Sequence, residues 1–275
     1  MGWCQCEGRG FHTPGPPWDI CRQKKEGPVA DFLTTAQGRR LAYERVEGEG
    51  PGIVFLGGFN SDMQGTKALH LDAWARAQGR AFLRFDYSGH GESGGRFEDG
   101  CIGDWLEDAR GVIDAVTEGP QVLVGSSMGG WIALLLARER PERVAGLVGI
   151  AAAPDFTEAG FWAEFSAEER AALMRDGVVL RQSDYGEPYP LTRRLIKDGR
   201  RHLLMDAPLG LPMPVRLLQG TADAEVPVDW ALRLLDRAEG RDLRLTLVKG
   251  ADHRFSTPDC LALIEAAVAE VTARA

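Results

Sequence analysis

The stretch that decides the fold is Gln121-Val122-Leu123-Val124-Gly125-Ser126-Ser127-Met128-Gly129-Gly130. A short apolar run leads into a Gly-x-Ser-x-Gly motif and an apolar helical pattern follows it, so the motif lies at a strand–turn–helix junction. Such a turn lifts the central serine above the edge of a sheet, and a glycine two positions to either side lets strand and helix approach. Ser127 has both glycines and Ser126 does not. The motif therefore predicts that Ser127 is a nucleophile.

Short apolar runs alternate with helical patterns on both sides of this motif. The predicted strands are 31–35, 40–46, 53–56, 81–85, 121–124, 144–150, 215–219 and 243–248, and the predicted helices are 66–78, 102–117, 128–139, 228–238 and 258–274. The last six strands are nearly unbroken apolar runs, as in parallel strands covered on both faces. The first two are too close together for a crossover and predict an antiparallel hairpin. The pattern indicates an α/β fold with a mostly parallel eight-stranded sheet and helices on both faces.

Two segments depart from this alternation. Residues 1–28 are rich in glycine and proline without hydrophobic periodicity, which predicts a flexible leader. Residues 155–208 contain no good strand pattern, but they contain aromatic residues and a capping box at Ser166 and Glu169. We therefore expect a helical cap at 155–208, inserted into one core domain formed by 29–154 and 209–275.

The composition limits the partners and the compartment. The 275 residues include 40 acidic and 32 basic side chains, and the net charge of −8 excludes general binding to nucleic acid or to anionic membranes. No apolar run reaches the roughly 18 residues of a membrane span, and the start lacks the apolar core of a signal peptide. We expect no stable membrane insertion and a small-molecule or acylated substrate as the partner. The oligomeric state is not predicted.

The five cysteines are an odd number for a disulfide framework, which favours free thiols and a cytoplasmic location. Four residues of the leader could in principle hold zinc: Cys4, Cys6, His12 and Cys21. Their spacing fits poorly with structural zinc sites, in which paired ligands are about two to four residues apart. We predict neither a metal nor a cofactor.

A serine nucleophile in this context requires a base and an acid that follow it along the chain. His253 is the one histidine that follows the last strand, so it is the predicted base, with an ordinary surface-loop histidine as the alternative. Asp223 follows strand 215–219 and is the predicted acid, with Asp155, after strand 144–150, as the alternative. His90 precedes the nucleophile in a glycine-rich loop and is interpreted as scaffold.

Two further features concern the reacting carbonyl and the substrate. The predicted oxyanion donors are the amides of Met128 and Phe59, with Gly58 in place of Phe59 as the alternative. Phe161 and Trp162 of the cap are candidates for the wall of an acyl pocket, or they pack the cap onto the core. Arg194 belongs to a basic run that could bind a carboxylate on the leaving group or form a solvated helix face.

These residues together resemble the α/β-hydrolase superfamily over about 29–275. Four segments that flank the motif narrow the resemblance: Gly65-Thr66-Lys67-Ala68, Arg84-Phe85-Asp86-Tyr87-Ser88-Gly89, Gly119-Pro120-Gln121 and Gly129-Gly130-Trp131. They resemble the palmitoyl-protein thioesterase subfamily of abhydrolase-domain protein ten and its bacterial relatives. The resemblance implies serine-dependent hydrolysis of S-acyl thioesters and acyl-glucuronide esters. The triad of the subfamily carries over to Ser127, Asp223 and His253.

The predicted function is therefore that of a serine hydrolase that cleaves acyl thioesters or esters through an acyl-enzyme, without a cofactor. Three enzymatic alternatives use the same triad: a general carboxylesterase, a carbon–carbon bond hydrolase and a perhydrolase. A non-catalytic binding module is the alternative from a different class of protein. Such modules usually lack a triad member, and all three candidates are present here.

Overall fold

The computed structural model describes residues 30–183 and 186–275. The strands within them are β1 (Asp31–Thr34), β2 (Arg40–Val46), β3 (Glu49–Leu56), β4 (Arg80–Phe85), β5 (Gln121–Ser126), β6 (Val144–Ile150), β7 (Val178–Ser183), β8 (Gly186–Thr192), β9 (Leu209–Gly210), β10 (Val215–Gly220), β11 (Ala238–Glu239) and β12 (Leu243–Val248). The α-helices are α1 (Thr66–Ala77), α2 (Ile102–Val116), α3 (Met128–Glu139), α4 (Ala167–Asp176), α5 (Arg193–Gly199), α6 (Val228–Arg237) and α7 (Pro258–Thr272). A π-helical turn covers Thr157–Trp162.

Eight of these strands form one sheet in the order β1-β2-β4-β3-β5-β6-β10-β12. β2 pairs antiparallel with β1 and with β4, and the pairings from β4 across to β12 are parallel. The predicted sheet and its N-terminal hairpin are thus confirmed. Because β3, β5, β6, β10 and β12 run in the same direction, the loops that follow them meet at one edge of the sheet.

Helices cover both faces of this sheet, as predicted. Along β3, Ile53 and Phe55 pack into the layer of α1 and α7, while Val54 and Leu56 pack into the layer of α2 and α3. This alternation follows from the two-residue period of a strand. Each fully buried side chain of this size contributes about 1.5–3 kcal/mol relative to exposure. Two apolar layers therefore hold the sheet rigid beneath the loops at its edge.

The insertion between β6 and β10 differs from the prediction in one respect. We expected helices alone, but β7 and β8 form an antiparallel two-stranded sheet beside α4 and α5. Pro188 and Pro190 in β8 conceal the strand pattern, since proline cannot donate to a ladder. A two-stranded sheet consists of edge strands only, and edge strands tolerate proline where the missing N–H would face away from the partner.

Polar contacts order the cap and tie it to the core. The predicted capping box is present, because Ser166 Oγ accepts from the amide of Glu169 at 3.1 Å and the Glu169 carboxylate accepts from the amide of Ser166 at 2.8 Å. Asp198 at the end of α5 accepts from the amide of Gly103 in α2 at 2.7 Å. Burial raises the pKa of Asp198, but hydrogen bonds from His202 and Gly103 outweigh it and lower that pKa to about 2.

The predicted leader, residues 1–28 with its candidate zinc ligands, lies outside the described residues. Cys101 and Cys260 lie inside them, and both are buried free thiols. In residues 30–183 and 186–275, no helix combines the length and the apolar character needed to cross a membrane.

Candidate active site

Ser127 lies at the turn between β5 and α3 and adopts φ 53° and ψ −116°. This left-handed conformation is strained for a residue with a side chain and persists because the surrounding packing enforces it. A Cβ atom on Gly129 would lie 2.0 Å from the carbonyl oxygen of Leu56, so strand and helix approach more closely there than any other residue would allow. The predicted strained serine turn is therefore present.

His253 lies in the loop between β12 and α7 and faces Ser127. Its Nε2 atom is 3.1 Å from Ser127 Oγ, and its Nδ1 atom is 2.9 Å from Asp223 Oδ2. The imidazole thus bridges the hydroxyl and the carboxylate within hydrogen-bond distance of both. These are the three residues that the sequence selects as nucleophile, base and acid, and the fold brings them together from the ends of β5, β10 and β12.

Asp223 has a fully buried side chain with four hydrogen-bond partners. Oδ1 accepts from the amides of Glu225 at 3.0 Å and Val226 at 2.8 Å, and Oδ2 accepts from Gln219 Nε2 at 3.0 Å in addition to His253. Burial raises the pKa of Asp223, but the hydrogen bond and charge of His253 outweigh it, and the pKa lies below its usual value. The carboxylate is ionised at neutral pH and fixes the orientation of the imidazole.

Asp155, the alternative acid, has different partners. Its carboxylate accepts from the amides of Leu204 at 2.8 Å and Met205 at 2.9 Å, and the residue is buried with φ 62°. Burial raises the pKa of Asp155, while these two hydrogen bonds act in the opposite direction. Asp155 therefore joins the end of β6 to the segment that leads out of the cap, and its carboxylate is occupied there.

The amides of Phe59 and Met128, the predicted oxyanion donors, lie on the two loops that flank Ser127. Within the described residues, neither amide donates an intramolecular hydrogen bond. Met128 is the first residue of α3, where amides lack helical partners. Gly58, the alternative donor, also lies beside the nucleophile: a Cβ atom there would be 3.6 Å from Ser127 Cβ.

His90 positions the loop that carries Phe59. Its Nε2 atom accepts from the amide of Asn60 at 3.2 Å, and its Nδ1 atom is 3.2 Å from the carbonyl oxygen of Ser88, so the proton resides on Nδ1. Burial lowers the pKa of His90 to about 4, although the hydrogen bond to Ser88 raises it. His90 is therefore neutral at physiological pH, and its contacts agree with the scaffold interpretation.

Two cavities meet at Ser127 and His253. The first, of about 700 Å³, lies under the cap and has an aromatic lining that includes Phe59, Phe97, Phe156, Phe161, Tyr189 and Trp230. The second, of about 460 Å³, is lined among others by Gly58, Ser61, Asp62, Lys67, Arg254 and Ser256. The nucleophile is thus reached from two sides, and the aromatic side chains lie mainly in the first cavity.

The three predicted substrate-binding residues separate in the structure. Phe161 lines the aromatic cavity, whereas Trp162 lies outside its lining and packs under the guanidinium groups of Arg170 and Arg200. Arg194 also lies outside this cavity, and its guanidinium forms an ion pair of 2.5 Å with Asp104. The structure thus places one of the three, Phe161, in a cavity that Ser127 also lines.

One charged residue at the site escaped the sequence interpretation. Glu225 lines both cavities, and its carboxylate is 3.4 Å from His253 Nε2. The sequence feature that could have identified Glu225 is its position two residues after Asp223, in the same loop at the edge of the sheet.

The sheet order, the strained serine and its position at the carboxyl edge define an α/β hydrolase. The chain belongs to the family described as serine aminopeptidase, S33, whose profile matches residues 52–195. It is similar to the mitochondrial palmitoyl-protein thioesterase ABHD10 of Homo sapiens, with 38% identity over 243 residues, 87% of this chain and 78% of the relative. The Bos taurus relative of the same name gives the same identity and coverage.

Two solved structures agree with this placement. A putative hydrolase from Agrobacterium vitis is 42% identical with a TM-score of 0.84, and the match covers 89% of this chain and 98% of that one. Mouse alpha/beta hydrolase domain-containing protein 10 is 35% identical with a TM-score of 0.82, covering 88% and 97%. The chain is therefore an enzyme of the ester and thioester hydrolase class, as predicted.

The predicted cytoplasmic location is wrong by this comparison, because the thioesterase relatives are named as mitochondrial proteins. The prediction relied on free cysteines and on the absence of a secretory start. Free thiols are stable in any reducing compartment, so they do not single out the cytoplasm.

Proposed function

We propose that this chain hydrolyses acyl thioesters, and related acyl esters, with Ser127, His253 and Asp223 as a catalytic triad. The observation that carries the proposal is the continuous hydrogen-bond chain from Ser127 Oγ through the imidazole to Asp223, with links of 3.1 and 2.9 Å. A serine hydroxyl is a weak nucleophile at neutral pH and becomes reactive when an oriented base removes its proton.

In the first half-reaction, Ser127 Oγ attacks the acyl carbonyl carbon while His253 Nε2 takes the hydroxyl proton. The carbonyl oxygen becomes an oxyanion, which the amides of Phe59 and Met128 stabilise. Asp223 stabilises the imidazolium that forms. The tetrahedral intermediate then breaks its carbon–sulfur or carbon–oxygen bond, and the imidazolium returns the proton to the leaving thiol or alcohol.

In the second half-reaction, water replaces the leaving group at His253. Nε2 takes a proton from the water, whose oxygen attacks the acyl-serine carbonyl. The same two amides stabilise the second oxyanion. Collapse breaks the bond between the carbonyl carbon and Ser127 Oγ, the serine recovers its proton, and the free acid departs.

The two cavities suggest how the substrate is oriented. We assign the acyl chain to the aromatic cavity that Phe161 lines, because an apolar chain gains most from burial there. The leaving group then occupies the second cavity. The name palmitoyl-protein thioesterase, carried by relatives with 38% identity, favours thioesters over oxygen esters as the preferred class. Trp162 and Arg194 have no place in this assignment.

The test is activity-based labelling combined with a substrate panel. Wild-type protein should react with a fluorophosphonate probe, and Ser127→Ala should lose both the label and the hydrolysis of acyl thioesters. Ser166→Ala, which alters a helix cap outside the cavities, is the matched control and should keep the label. Continued labelling of Ser127→Ala would reject Ser127 as the nucleophile. A preference for simple oxygen esters over all thioesters would reject the substrate class.

A further inference from the structure

The two cavities share four lining residues, which are Phe59, Ser127, Glu225 and His253. Three of them belong to the proposed chemistry, and Glu225 does not. It is the only carboxylate among the four, and it lies where the acyl part of a substrate would meet the leaving group. A group in this position contacts substrate atoms on either side of the bond that breaks.

Glu225 is held in a defined place by its own backbone. Its amide donates to Asp223 Oδ1 at 3.0 Å, which fixes the loop between β10 and α6. From there the carboxylate reaches to 3.4 Å from His253 Nε2, and the side chain is 45% exposed. The carboxylate therefore approaches the nitrogen that exchanges protons with the substrate while keeping one side open to the cavities.

We propose that Glu225 selects the leaving group by its charge: it favours thiols or alcohols that carry a cation close to the scissile bond, and it disfavours those that carry a carboxylate or phosphate there. This inference rests on the proposed hydrolytic function. The leaving atom must come within hydrogen-bond distance of His253 Nε2 to receive its proton. A charge two or three bonds further along the leaving group then lies within several ångströms of the Glu225 carboxylate.

Other charged groups also lie near the imidazole. Asp223 contacts the opposite ring nitrogen, and its side chain is fully buried, so a substrate cannot reach it. Lys67 and Arg254 both line the second cavity, and the Lys67 ammonium donates to the carbonyl oxygen of Arg254 at 2.5 Å. These two cations also act on a charged leaving group and oppose Glu225, so the contribution of Glu225 is read from the change that Glu225→Gln makes. Of the charged side chains described here, Glu225 is thus the one that pairs with Nε2 from the substrate side.

The experiment compares three butyryl thioesters that differ in the charge of the leaving group. Butyrylthiocholine carries a quaternary ammonium, its 3,3-dimethylbutyl analogue is neutral with the same shape, and S-butyryl-3-mercaptopropionate carries a carboxylate. Thiol release gives kcat/KM for each. The quantity compared is the ratio of kcat/KM for the cation to kcat/KM for the anion, and we expect Glu225→Gln to reduce it from the wild-type value by about tenfold, or ~1.4 kcal/mol.

The matched control is Glu118→Gln, which makes the same change of charge in an exposed residue that precedes β5, at the opposite edge of the sheet. It should keep the wild-type ratio. A second measurement adds salt: about 0.5 M NaCl should reduce the difference between the wild-type and Glu225→Gln ratios, because the carboxylate is partly exposed and salt screens it. A ratio that Glu225→Gln leaves unchanged overturns the inference. Failure of wild-type protein to hydrolyse any of the three thioesters contradicts the proposed function instead.

Discussion

Substituting Asp155 tests whether this residue has a structural or a catalytic role, because it is the alternative to Asp223 as the acid of the triad. Its carboxylate is occupied by the amides of Leu204 and Met205 at 2.8 and 2.9 Å. In Asp155→Asn, one carboxylate oxygen becomes an NH₂ group that faces a backbone donor. We therefore expect a loss of stability with little direct effect on the reaction.

The size of this loss follows from the contacts. Removing one charge-assisted hydrogen bond and leaving a buried amide without an acceptor costs about 2–3 kcal/mol. Burial raises the pKa of Asp155, so the neutral asparagine avoids part of the cost of burying a charge. We expect a net destabilisation of about 1–2 kcal/mol, or a decrease in Tm of roughly 2–6 °C for a chain of this size.

The assay measures Tm, urea unfolding and kcat/KM for one acyl thioester in Asp155→Asn and Asp223→Asn, well below both melting temperatures. Asp155→Asn should lose stability and keep kcat/KM within about threefold of wild type. Asp223→Asn should lose about three to four powers of ten in kcat, because an asparagine disfavours the tautomer that the reaction needs. If Asp155→Asn loses activity on that scale and Asp223→Asn does not, the assignment of the acid is refuted.

Three further predictions concern the surroundings of the site. Gly129→Ala should lower the free energy of unfolding by more than about 2 kcal/mol and abolish probe labelling, because the added Cβ atom would lie 2.0 Å from the carbonyl oxygen of Leu56. A stable variant that the probe still labels would contradict this close packing. The stability that ionised Asp198 contributes should be complete above the pKa of about 3.9 that the carboxyl has in the unfolded chain, and it should disappear as the pH falls towards 2. The free energies of urea unfolding of wild type and Asp198→Asn should therefore differ by about 2 kcal/mol at pH 7 and converge in acid. His90→Phe should reduce kcat by about tenfold, because the Asn60 amide loses its acceptor. The shape of the pH profile of kcat between about 5 and 8 should not change, because burial keeps the histidine neutral in that range. A changed shape would show that His90 titrates in the reaction.

The sheet and the three residues that meet at its edge were predictable from short-range patterns. β10 and β12 are apolar runs followed by polar loops, and parallel strands place such loops together whatever lies between them. The chain order of serine, acid and histidine then selected His253 and favoured Asp223 as the acid. Asp155 stayed open as the alternative acid, because both aspartates follow strands that end at the same edge.

The cap was less predictable, because its contacts come from distant parts of the chain. Arg194 pairs with Asp104, which is 90 residues away, and no local pattern indicates this partner. Trp162 packs against the guanidinium groups of Arg170 and Arg200, a position that depends on how helices pack. β8 was missed for a different reason, since its two prolines are read as breakers unless the strand is known to be an edge.

The meeting of the two cavities at Ser127 has a consequence for the order of events in a catalytic cycle. If the acyl chain occupies the aromatic cavity, the thiol can diffuse out through the second one while the acyl group is still attached to the serine. The vacated second cavity is then the route by which water reaches His253. The two products would exit through separate openings at separate times, so added thiol should intercept the acyl-enzyme and regenerate thioester, whereas added fatty acid should compete with substrate for the resting enzyme.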